Sequence, residues 1–231
     1  MTKSNLWKFT KAVIIMISVF ASQQLITGAI MLYKNMALAI TLAILGIVIY
    51  LGTLYVIKPF SRKNVKPWKI TWNIPGEQSL KYILTVIVTY LMLFSANILT
   101  AVIKNLAHHT DTSANQDAIN TMAQNGSMGL VVLMVLMAPF FEEIAFRWVI
   151  FEKMFETTKW YIPFAVSSIV FAGMHVIVGN VFNIWDWISY LPMAIIFAGL
   201  YAWRRNLILN ITVHFVWNLT AALSMITLLT Q

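Results

Sequence analysis

Long apolar blocks alternate with short polar breaks along this chain. The blocks run to roughly 20 residues, the length an α-helix needs to cross about 30 Å of hydrocarbon. They predict seven spans, at 11–33, 36–57, 80–103, 128–151, 160–181, 184–203 and 206–230. A short membrane-dipping helix breaking one span would make eight. The connector between the third and fourth spans is among the longest, and its Ala114–Ala123 piece reads as a short interfacial helix. The stretch from Lys66 to Gln78 reads as part of a loop whose Trp68 and Trp72 rest on lipid headgroups. No soluble domain, internal repeat or low-complexity tract is visible. The pattern therefore predicts an all-α, polytopic transmembrane helix bundle.

The first block requires a choice. "WKFTKAVIIMISVFA" has a basic start, a short apolar core and a small-residue ending, as a cleaved signal peptide has. The apolar run resumes after Ser22-Gln23-Gln24 and continues to Tyr33. A retained first span accounts for that continuation.

Composition strengthens the membrane reading. Hydrophobic residues make up 60% and charged residues 10%, with mean hydropathy +0.77. Soluble domains carry about 25% charged residues. The chain has no cysteine, which excludes disulfides and thiolate metal sites. Its net charge of +8 sits in short clusters between apolar blocks, as topology signals do, and does not suggest a nucleic-acid partner. Lys3, Lys8 and Lys11 precede the first span, and Lys58, Arg62, Lys63, Lys66 and Lys69 follow the second. Lys153, Lys159, Arg204 and Arg205 fall in later breaks on the same side. The positive-inside rule then predicts a multi-pass cell-membrane protein with a cytoplasmic N-terminus and the C-terminus outside. Trp160, Tyr161, Trp185 and Trp187 fit interfacial anchors.

Polar residues inside the spans carry the chemistry. A charge at mid-bilayer costs about 2.5–3.5 kcal/mol on insertion scales, so such residues usually face the protein interior and have a task. They are Glu142, Glu143 and Arg147 in span four, His175 in span five, and His214 and Asn218 in span seven. Glu143 and Arg147 are spaced i,i+4 with the acid first, the favourable order for a helical ion pair. Glu142 lies about 100° away round the helix, with no local cation. Burial disfavours its charged form, which suits it to exchange a proton as a general base does. Pro139 removes a helical hydrogen bond nearby and tends to kink the helix. Helical rise places Glu142 and His175 level on two antiparallel spans, with His214 and Asn218 at similar depth. His214 and Asn218 share a face, as do Phe171 and His175. The first pair could aim two donors at a developing oxyanion. Taken singly, these residues could instead be helix cross-links or a proton relay.

Three motifs stand in order: "EEIAFR" at 142–147, "FAGMH" at 171–175 and "HFVWN" at 214–218. Together they resemble the CAAX protease and bacteriocin-processing family of intramembrane proteases, also called the Abi family. The similarity covers about residues 125–222. It divides one membrane domain into N-terminal spans with an outer loop, 1–124, and a protease core, 125–231. The resemblance implies peptide-bond hydrolysis at or in the membrane. Glu142 would activate water, His175 would hold it, and His214 with Asn218 would stabilise the oxyanion. Glu143 and Arg147 would form a supporting pair, with Phe171 beside them.

The family is often labelled metalloprotease, and Glu142, His175 and His214 could hold a zinc ion with water in the fourth position. Glu142 would then be a ligand and no longer a free base, and no His-Glu-x-x-His is present. The residues favour metal-independent glutamate catalysis over zinc. The expected partners are a peptide or membrane-protein substrate and membrane lipids. By the same resemblance a bacterial chain would act in bacteriocin processing or self-immunity. The alternative is a non-catalytic immunity or binding protein on the same fold. Oligomeric state is not legible. Asn210-Ile-Thr and Asn218-Leu-Thr match the glycosylation sequon but fall inside a span. His108, His109 and Asp111 read as a solvated loop, and Arg204-Arg205 as a topology anchor.

Overall fold

The computed structural model describes residues 3–57, 76–109, 111–154, 159–177 and 183–229. The basic cluster Lys58–Lys69 and the loop tryptophans Trp68 and Trp72 lie outside them. The described residues form eight α-helices and one π-helical segment. In chain order these are α1 (Lys3–Met31), α2 (Met36–Ile57), α3 (Gly76–Leu106), α4 (Ala114–Asn125) and α5 (Met128–Glu143). The π segment (Ile144–Met154), α6 (Tyr161–Val176), α7 (Ile184–Arg204) and α8 (Leu207–Leu229) follow. No strand occurs among the described residues, and the fold is the polytopic helical bundle that the apolar blocks predict.

Local chemistry explains several boundaries. Ser113 caps α4 by accepting from the Gln116 amide, and Asn183 caps α7 by accepting from the Trp185 amide. α7 ends at Arg205, in the left-handed region with φ 47°. There its guanidinium lies 4.9 Å over the Phe151 ring, so Arg205 packs as well as anchors. α1 runs unbroken through Ser22-Gln23-Gln24, and buried Ser22 returns its hydroxyl to Val19 O at 2.6 Å.

Two expectations need correction. The fifth span, read as 160–181, is helical only to Val176, and residues 178–182 are not described. Among the described residues six helices are long and apolar enough to cross a membrane, and α6, with 16 residues, is a shorter apolar helix. The fourth span does not remain α-helical to 151. Its turn widens at Ile144 into a π-helical segment, a form that gathers at functional positions.

α5 and the π segment are the centre of the bundle. α1, α6 and α8 pack against them, α2 packs outside α1, and α3 lies on α7 and α8. Every residue from Phe141 to Phe151 is buried. Phe146 meets Phe20 at 5.5 Å and Phe171 at 5.0 Å between ring centroids. Tyr82 shares a hydrogen bond with Thr212 at 2.9 Å, and Tyr90 with Thr220 at 3.0 Å. Both partners advance together, so α3 and α8 run parallel, as the third and seventh of seven spans must. Apolar side chains such as Ile44, Leu51, Leu84 and Leu91 remain exposed on α2 and α3, the faces a bilayer would cover.

Candidate active site

The site forms where α5 passes into the π segment. Glu142 and Glu143 are adjacent in sequence but face different neighbours. Glu143 is completely buried and lies at the centre of a polar network. His214 donates from Nδ1 to Glu143 Oε1 at 2.9 Å. Asn210 donates from Nδ2 to Glu143 Oε2 at 3.2 Å and to Phe197 O at 2.9 Å. Arg147 Nε stands 3.3 Å from the same Oε2. Arg147 also donates from Nη1 to Ser167 Oγ at 3.0 Å, and Ser167 donates on to Phe146 O at 2.8 Å. The Arg147 guanidinium lies 4.8 Å over the Phe171 ring. A buried ion pair is tolerated when further hydrogen bonds satisfy its members. Here they come from two helices, α8 to Glu143 and α6 to Arg147, while Arg147 Nη2 has no hydrogen-bond partner among the described residues.

Glu142 faces two imidazoles. Its Oε2 is buried and has no hydrogen-bond partner among the described residues. His175 Nε2 stands 3.9 Å from that oxygen and His214 Nε2 stands 3.7 Å from it. Both rings are fixed through their other nitrogen. Phe171 O can only accept, so His175 donates to it from Nδ1, at 2.9 Å. Glu143 likewise can only accept from His214 Nδ1. In the neutral form of each ring, Nε2 is then the acceptor, and it points toward Glu142. Tyr190 stacks on His175 at 4.7 Å, and Phe197 lies 4.5 Å from the His214 ring.

The structure thus brings Glu142, His175 and His214 together, with Glu143, Arg147 and Phe171 directly behind them. Asn218 is engaged differently from the expectation of a donor aimed at the same point as His214. It donates from Nδ2 to Val135 O at 2.8 Å. Val135 O is the carbonyl that would have bonded to residue 139, and Pro139 has no N–H to give. Asn218 therefore fills the gap that the proline leaves.

Asn210 and Ser167 were missed by sequence reasoning. Asn210 carried a detectable signal, since Asn210, His214 and Asn218 repeat every four residues along one helix face. Ser167 carried none, because its partner comes from another helix. Tyr190 was also missed, and its signal was equally tertiary.

The donor set also bears on a metal. Among the described residues, no three His, Cys, Asp or Glu side chains are placed to hold a metal ion. Tetrahedral zinc would need donors about 3.3 Å apart. The two carboxylate–imidazole separations here, 3.9 and 3.7 Å, are wider and suit a hydrogen-bonded water. His108, His109 and Asp111 hold no such set either, and His109 stacks on Trp185 at 4.2 Å.

Residues 124–220 match the Rce1-like family, the type II CAAX prenyl endopeptidases. The matched stretch holds all three motifs and the helices that carry the site. Two relatives from Lactococcus lactis subsp. lactis (strain IL1403), the UPF0177 proteins YvdC and YaiH, are each 32% identical to the chain. The matches cover 59% and 60% of this chain, and 50% and 56% of the relatives. The chain thus spans about half the length of the curated relatives it matches. No solved structure matches.

Proposed function

We propose that this protein is an intramembrane endopeptidase that hydrolyses a peptide bond of a membrane-associated peptide or protein. One observation carries the reading: the partnerless Glu142 Oε2, buried between two imidazole Nε2 atoms at 3.9 and 3.7 Å. One water can hydrogen-bond to both Glu142 Oε2 and His175 Nε2 at about 2.8 Å. It donates one proton to each and keeps an oxygen lone pair for the substrate carbonyl carbon. As the carbon–oxygen bond forms, Glu142 takes the water's proton. The carbonyl oxygen becomes an oxyanion. His214, protonated on both nitrogens, holds one proton on Glu143 and offers the other to that oxyanion. The second amide N–H of Asn218 is available for the same task. When the carbon–nitrogen bond breaks, Glu142 returns the proton to the leaving amine. The Glu143–His214 contact fixes the ring's orientation, as a carboxylate does in a catalytic triad.

The same reading keeps the N-terminus cytoplasmic, on the distribution of lysine and arginine. Processing of bacteriocins, or self-immunity to them, is the physiological setting we infer.

Cleavage of a tagged-peptide library by purified protein tests this mechanism. Glu142→Gln should lower the rate by about 10²–10⁴-fold, the usual worth of general-base catalysis. A strong chelator should leave the wild type active. Full activity in Glu142→Gln would sink the mechanism. Loss with chelator, restored by zinc, would make Glu142, His175 and His214 ligands. Immunity that survives Glu142→Gln would favour the binding protein instead.

A further inference from the structure

Beside the site, a hollow of about 270 Å³ lies between α3, α7 and α8, with α4 as its roof. Its floor is apolar, formed by Leu93, Met193 and Trp217. Its rim is polar but uncharged, with Asn97, Gln116 and Ser189. Among the described residues no Asp, Glu, Lys, Arg or His lines it. A second hollow of about 260 Å³ shares Asn97 and Ser189 with it and extends past Asn105 to Lys104 and His109. The pair thus runs from the bundle interior toward the polar connector.

Tyr190 is the wall common to the first hollow and the site. One face of its ring stacks on His175, 4.7 Å away. Its hydroxyl shares a hydrogen bond with Ser113 at 2.9 Å and accepts from Asn115 Nδ2 at 3.2 Å. Asp186, on the same helix as Tyr190, accepts from the Ala114 amide at 3.3 Å. The start of α4 is therefore fastened to the helix whose tyrosine packs on His175. The roof and the ring are one construction.

We propose that this hollow binds a short uncharged stretch of the peptide substrate next to its scissile bond. The proposal rests on the proteolytic reading above. Ligand pockets begin near about 300 Å³, so the hollow takes only a short piece of chain. Amide and hydroxyl groups on the rim suit peptide N–H and C=O groups. The apolar floor suits small or aliphatic side chains. A charged side chain would lose its water there and find no counter-charge. Substrate seated against Tyr190 has its next residues beside His175 and Glu142.

The absence of cysteine makes the test direct. Ser189→Cys places a single thiol on the rim. It is combined with Glu142→Gln to prevent turnover, and its maleimide labelling rate is measured in bilayers. The probes are blocked heptapeptides of Ala, Ser, Leu and Met, and the same peptides with Asp or Lys at the centre. The neutral peptides should slow labelling by roughly fivefold or more at several times their dissociation constant, and the charged ones should not. Equal protection by both sets, or by neither, overturns the proposal.

A second arm uses the Glu142 enzyme. Asn97→Asp should shift library cleavage about tenfold toward peptides with Lys at a fixed distance from the cut. An unchanged profile in a variant that still cleaves overturns the proposal and leaves the protease intact. Glu142→Gln that still cleaves sinks the protease reading, whatever the thiol shows.

Discussion

At the scale of residues, the two adjacent glutamates divide the labour because their surroundings differ. Glu143 has Arg147, His214 and Asn210 around it, and Glu142 has two imidazoles at water-bridging distance. Replacing Arg147 by Met would leave a buried carboxylate short of its cation. The expected loss is about 3–5 kcal/mol of stability, read by thermal unfolding in detergent. Asn210→Ala would leave Glu143 Oε2 and Phe197 O each short of a donor. It should cost about 1–3 kcal/mol and lower activity through a displaced His214. Normal stability in either variant would remove the network from its structural role. The Glu143–Arg147 pair was legible in the sequence because i,i+4 spacing is a local rule. The Glu143–His214 contact was not, because it joins positions 143 and 214 across the bundle. Asn210 differs again: its place on the histidine face is a local pattern, but its partners Glu143 and Phe197 lie on other helices.

At the scale of elements, local rules held where a helix is governed by its own chain. The apolar blocks placed six of the spans to within three residues, and the helix expected at Ala114–Ala123 begins where Ser113 caps it. They failed where neighbours intervene. Burial on every side accompanies the widening of α5 into the π segment, and no spacing rule marked Ile144 as the change point. The Pro139–Asn218 relation is also tertiary. Asn218→Ala should cost about 1–3 kcal/mol by leaving Val135 O without a donor. Pro139→Ala restores a helical N–H four residues on, so the double variant should recover part of that loss. A double-mutant cycle measures the coupling, and simple additivity would refute the relation.

At the scale of the molecule, α1, α6 and α8 pack around one central segment, and the candidate site sits on that segment. The stretch from Phe141 to Phe151 is buried, its most open residue being Glu142 at 8%. Its surroundings are therefore a private solvent, composed by α1, α6 and α8 and carried wherever the protein goes. On the proposed mechanism, the bilayer can thicken, thin or change its headgroups without altering the medium in which Glu142 gives and takes a proton. Membrane composition should then act on substrate delivery and leave the chemical step alone. The turnover number in detergent micelles should match that in bilayers within about threefold, a difference of roughly 0.7 kcal/mol in barrier, while KM varies freely. A turnover number that followed lipid thickness would mean that the medium around Glu142 is borrowed from the membrane.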